Sequence, residues 1–161
     1  MTRSAARRLH IPIDPPVQTK IAGYSVTFDG LNLIRLRVMV EYNVDPPIDP
    51  VRFDKYIPSR GMFGTRIMTL YVVDDTSPEP YPTFWEDLMW PTLGPGRTTT
   101  RLERRPPPTA TQLVISVLPS DVALRPDPAM IAQHAVVSFT VRLPDDHAAP
   151  WDPTIRAREA P

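Results

Sequence analysis

What most constrains this chain is how its prolines are placed. There are 22 in 161 residues, where ~5% usage would give eight. They gather between runs of alternating apolar and polar residues and leave the runs themselves almost untouched. Proline lacks a backbone N–H and breaks both helix interiors and central strands. A chain punctuated in this way folds as short strands joined by stiff loops.

The runs carry the period of two expected of half-buried strands. Ala22, Tyr24, Val26 and Phe28 alternate with Gly23, Ser25 and Thr27, and Asp29-Gly30 follows as a hairpin-turn signal. Ile34, Leu36, Val38, Val40 and Tyr42 then alternate with Arg35, Arg37, Met39 and Glu41. Together these predict a hairpin over residues 20–43. Residues 65–73 are apolar on both alternating sets, which suits a central strand or one covered on both faces. Residues 97–104 alternate threonine and leucine with charge and predict a thin edge strand. Residues 111–118 place Leu113, Ile115 and Val117 on one face, and residues 135–143 form the last strand. A further strand is expected within residues 48–57.

Two short helices are expected in the loops. Thr83 with Glu86 three residues on matches a capping box ahead of Phe84–Met89. Asp127-Pro128 reads as an N-cap followed by a proline in the first helical position. The fold class expected is therefore all-β: an antiparallel β-sandwich, Greek-key or jelly-roll-like, with one or two short helices in the loops. Residues 17–144 would form this domain. Residues 1–16 would be an extended, basic, proline-rich arm, and residues 145–161 a polar tail anchored only by Trp151 and Ile155.

Composition excludes some functions. Cysteine is absent, so there is no disulfide, thiolate metal site or cysteine nucleophile. The 18 basic and 18 acidic residues cancel, which argues against a nucleic-acid partner. No apolar run approaches the ~18 residues of a membrane span. No apolar h-region follows the basic N-terminus. The chain is expected in the cytoplasm, or in a particle assembled there.

Chemistry-bearing residues are sparse. His10, His134 and His147 form no metal-binding or triad spacing. The serines occupy no nucleophile elbow, and the glycines match no phosphate loop. Three features remain as candidates. Arg97, Arg101, Arg104 and Arg105 form a basic cluster, with Arg97 and Arg101 on one strand face. Asp74 and Asp75 begin an acidic stretch that continues to Glu79, Glu86 and Asp87. Trp85 and Trp90 lie in an aromatic segment suited to plugging the sandwich or meeting a partner.

These features favour a non-enzymatic structural or protein-interaction subunit of a larger assembly. It would bind protein neighbours, other copies of itself included, through arm, tail and charged edge strand, with no cofactor. The first alternative is a ligand-binding module for calcium or a carbohydrate, using loops 44–50 and 74–90. The second is a small hydrolase built on loop carboxylates. Strand pattern alone names no family, because sandwiches host many unrelated functions.

Overall fold

A computed structural model describes residues 9–34, 37–46, 56–57, 62–63, 67–85, 97–119 and 127–148. Within them the chain forms β1 (Leu9–Ile21), β2 (Tyr24–Ile34), β3 (Arg37–Asp45), β4 (Tyr56–Ile57), β5 (Met62–Phe63), β6 (Met68–Asp74), β7 (Thr83–Trp85), β8 (Arg97–Leu102), β9 (Gln112–Pro119), α1 (Pro128–His134) and β10 (Val137–Arg142). A five-stranded antiparallel sheet has the order β1-β2-β3-β8-β7, and a three-stranded one the order β10-β9-β6. The two sheets pack face to face as an all-β sandwich. β4 and β5 pair with each other.

Alternation places the core between the sheets. Val26, Phe28, Leu31, Leu33, Val38, Val40, Tyr42 and Val44 come from the larger sheet. Leu70, Val72, Leu113, Ile115 and Val117 answer from the smaller one. Phe28 ties the layers together, with its ring centroid 5.2 Å from that of Tyr42 in its own sheet and 5.2 Å from that of Phe139 in the other. Tilted pairs at this spacing suit the ring quadrupoles.

In β2, β6 and β7 the strand assignments differ from the sequence reading. First, Asp29-Gly30 is not a hairpin turn. β2 runs through it, and both residues oppose the single Glu41 between the pairs Phe28↔Tyr42 and Leu31↔Val40. This is a β-bulge. It changes the phase of the alternation, so that even-numbered residues face the core before it and odd-numbered ones after it. The reversal lies instead at Ala22-Gly23, with φ of 51° and 84°, joining Ile21 to its partner Tyr24. Two successive positive φ values are what a type I′ hairpin requires. Ala22 is strained there, because its Cβ crowds the backbone. Ala22→Asn is therefore expected to stabilise the fold by up to about 1 kcal/mol. A urea titration reads this, and a lower midpoint than wild type would refute it.

Second, β6 is not central. It lies at one end of its sheet, and the central strand is β9. The pattern of alternating buried and half-buried residues in β6 shows one covered face, where an apolar composition on both sets had suggested two. Third, Thr83–Trp85 is a strand, pairing with β8 through Thr83↔Leu102 and Trp85↔Thr100. The capping-box expectation fails at these residues because cross-strand pairing supplies the backbone partners that a helix would. The remainder of the expected helix, residues 86–89, lies outside the described residues.

Both ends of the expected domain also extend further. β1 takes in Leu9–Pro16, which the sequence reading assigns to the arm. The prolines there are tolerated because β1 is an outer strand. Its register with β2 jumps between Pro12 and Val17, and the Asp14–Pro15 bond is cis. The second helix forms as expected: the Asp127 side chain accepts the Met130 N–H at 2.8 Å, with Pro128 at the start.

Candidate functional site

β8 places the arginines. It is not an edge strand, since it lies between β3 and β7. Its threonines explain why a polar strand can be internal. Thr98, Thr99 and Thr100 are all buried, and the Thr100 hydroxyl meets the Tyr42 hydroxyl at 2.9 Å. Arg97 and Arg101 do share the outer face, opposite Asn43 and Met39.

Each of the four arginines has a partner within the chain. Arg97 donates to Asp29 and, at 3.0 Å, to Glu41. The Asp29 carboxylate, followed by the Glu41 charge, holds the Arg97 guanidinium more firmly protonated than usual, against the cost of partial burial. Arg101 donates to Glu103 at 3.0 Å. Arg104 donates to the Glu79 carbonyl at 3.1 Å and stacks 3.9 Å above the Tyr81 ring. Arg105 donates to the His147 carbonyl at 2.7 Å, and burial brings its guanidinium down to about 10.

The acidic residues are also engaged. Asp74 ends β6, is 6% exposed and accepts from the Thr76 N–H at 2.7 Å, the Thr76 hydroxyl and the Tyr81 hydroxyl. Burial pushes its carboxyl up, but bonds from Thr76 and Tyr81, with the Arg104 charge, leave it below its ordinary value. Burial and the Asp74 carboxylate push the Tyr81 hydroxyl well above its ordinary range. Asp75 accepts the N–H and hydroxyl of Thr111, and these bonds lower its carboxyl. The turn is thereby fastened to the segment that leads into β9.

A second fastening holds the same segment one residue earlier. His147, expected in a solvated tail, is 1% exposed. Its Nε2 lies 2.8 Å from the Ala110 carbonyl. A carbonyl only accepts, so Nε2 carries the proton in this contact, and the buried Nδ1 has no hydrogen-bond partner.

The sequence reading did not anticipate the largest polar array. It crosses the outer face of the larger sheet, over four strands. His10 Nδ1 on β1 donates to Asn32 Oδ1 on β2 at 3.0 Å. Asn32 Nδ2 donates to Glu41 on β3, and Glu41 accepts Arg97 from β8. Gly30 completes the array by leaving room: a Cβ there would sit 2.7 Å from His10 Cε1. Only the bulge brings Asn32 to this face, which is why alternation on its own pointed elsewhere. Gly30→Ala should therefore displace His10 from Asn32 and cost up to about 1 kcal/mol, the net contribution of one hydrogen bond. The same change made on a His10→Ala background should cost clearly less in chemical denaturation. Equal costs in both backgrounds would remove the steric account.

Trp85 lies in β7, opposite Thr100. Trp90, Glu86 and Asp87, and residues 47–50 of the first candidate loop, fall outside the described residues. Among the described residues, no group of three or more histidine or acidic side chains is placed to hold a metal ion. No described helix is long and apolar enough to cross a membrane.

Comparison with known proteins adds little. No protein-family model matches the chain, and no curated protein sequence does. One solved structure, described as the conserved domain protein from Bacillus anthracis, aligns over 86% of this chain and 50% of its own, with a TM-score of 0.45 and 11% identity. The chain thus spans about half the length of that protein.

Proposed function

We propose that the protein is a non-enzymatic structural or protein-interaction subunit of a larger assembly, working in the cytoplasm or in a particle assembled there. The arginine strand no longer supports this reading, since its charges are paired within the sheet. What supports it is the state of the sheet edges. A bare edge offers unpaired backbone groups to another chain, and folded proteins normally blunt such edges. β1 carries Pro12, Pro15, Pro16 and Lys20, and its ladder is interrupted. β7 is three residues long. β6 is covered by the turn that follows it, where the Tyr81 N–H reaches the Val72 carbonyl at 2.9 Å. Among the described residues, β10 has none of these devices. It is six residues of Val-Ser-Phe-Thr-Val-Arg, paired on one side only among the described residues. The observation that carries the proposal is this unprotected edge, on which a partner can add a strand.

Amide hydrogen exchange tests it. The Leu143 N–H bonds the Thr111 carbonyl at 2.8 Å. Alternation of the antiparallel ladder then directs the N–H groups of Phe139 and Val141 toward β9, and those of Ser138, Thr140 and Arg142 outward. In dilute protein the outward set should exchange fast and the inward set slowly. Slow exchange of both sets in a dilute monomer would show that the chain covers this edge itself, and the proposal would fall. Deletions that ask whether the ends also bind neighbours should stop at residue 8 and at residue 149, because Leu9–Ile21 and His147 belong to the folded sandwich.

A further inference from the structure

Resting on that reading, we infer that the strand added to β10 is β10 of a second copy, running antiparallel about a two-fold axis near Thr140. Such an axis pairs Thr140 with its own counterpart, Ser138 with Arg142, Phe139 with Val141 and Val137 with Leu143. Apolar residues then meet apolar ones on the core side, and polar residues meet on the other. Threonine–threonine and aromatic–β-branched pairs are favourable cross-strand neighbours. Arg142 is the only charge on the strand and meets a serine, so no like charges oppose each other.

The backbone agrees with this register. Ser138, Thr140 and Arg142 are the residues whose N–H and C=O groups point outward, and they are the residues the axis pairs. Two three-stranded sheets would join into one continuous sheet of six, removing both bare edges.

The apolar rim gives an independent reason. The hydrophobic residues that pack on the core while only partly buried are Leu9, Val17, Tyr24, Val137 and Phe139. Four of these belong to β1 and β10, strands that approach each other on one side of the sandwich. Val136, immediately before β10, is the one large apolar side chain among the described residues that counts as exposed, at 44%. The core is thus least covered beside the strand whose backbone is open. A second copy would cover both at once. An unrelated extended peptide would satisfy the backbone, but nothing in β10 selects for it as the self-matching sequence selects for a copy.

Light scattering of the purified full chain over a wide concentration range tests the inference, read with hydrogen exchange on the same samples. The wild type is expected to reach twice 18.2 kDa, with the Ser138, Thr140 and Arg142 amides becoming protected as the dimer forms. Thr140→Lys sets two like charges across the axis, and Thr140→Pro removes the outward N–H; edge strands tolerate both changes. Each variant should stay monomeric with a thermal melt like that of dilute wild type. A monomeric wild type with fast-exchanging outward amides would overturn the two-fold pairing and leave the edge open to a different partner. A monomer with those amides protected would overturn the inference and the interaction reading together. A dimer that both variants retain would place the contact elsewhere and also overturn the inference.

Discussion

Replacing Phe28 with alanine is expected to destabilise the protein by about 3–5 kcal/mol, the range for emptying a large aromatic site in a packed core. Phe28 is fully buried and touches rings in both sheets. The loss therefore removes transfer energy and also the only ring-to-ring contact between the layers among the described residues. Collapse around the void is limited, because its walls are two sheets held rigid by their ladders. The melting temperature should fall by roughly 10 °C, given about 2–4 °C per kcal/mol for a chain of this size. Phe28→Leu should recover more than half of the loss. If alanine were tolerated within about 1 kcal/mol, the sheets would not be packed through this residue.

The second large effect is expected at Asp74. Its carboxylate accepts from the Thr76 backbone and hydroxyl and from the Tyr81 hydroxyl. Hydrogen bonds to a charged group contribute about 1.5–3 kcal/mol, and an abandoned buried donor adds its own cost. Asp74→Ala should therefore cost about 3 kcal/mol, mostly by leaving the Tyr81 hydroxyl without an acceptor. Asp74→Asn keeps the shape and should cost less. The effect carries a pH signature. The native carboxyl titrates below its ordinary value of 3.8, so the folded state favours the ionised form. This contribution is complete above the unfolded value and disappears as pH falls through the native one. The gap in stability between wild type and Asp74→Asn should thus be constant near neutrality and narrow below pH 3.8. Denaturant midpoints measured from neutral to acidic pH decide it, and a gap that does not change on acidification would contradict the assignment.

The architecture was legible wherever one face of a strand is buried and the other is not. Leu113, Ile115 and Val117 announced β9, and Val38, Val40 and Tyr42 announced β3, because burial selects every second residue. Asp127-Pro128 announced α1 for the equally local reason that a cap is made by its neighbours. Local signals misled where pairing decided the outcome. Asp-Gly is a turn dipeptide in isolation, but opposite Glu41 it forms a bulge. Thr83 and Glu86 spell a helix start, but β8 offered Thr83–Trp85 a ladder. Thr98, Thr99 and Thr100 look like an exposed edge until their hydroxyls and their strand are seen to be enclosed.

The candidate surface was hardest to foresee. The residues that attract attention in a sequence are charged, and here Arg97, Asp74 and Asp75 hold the fold together, while Arg101 pairs with Glu103 two residues on. β10 was read correctly as a strand, but whether a strand has one neighbour or two depends on sheet order, and no periodicity encodes that order. His10 and Asn32 were missed for a related reason, because they meet only after the alternation of β2 has changed phase.

That change of phase marks Asp29 as the one residue of β2 that the ladder does not count. Phe28 opposes Tyr42, Gly30 opposes Glu41 and Leu31 opposes Val40, and Asp29 is the extra residue that the bulge takes up. Without it, Phe28, Gly30 and Leu31 would follow one another in plain alternation, and Phe28, Leu31 and Leu33 would all still face inward. A deletion at this position would spare the core and remove the carboxylate to which Arg97 donates. The bulge thus works as an insertion that adds an acid to the outer face of the sheet while the packing behind it stays in step.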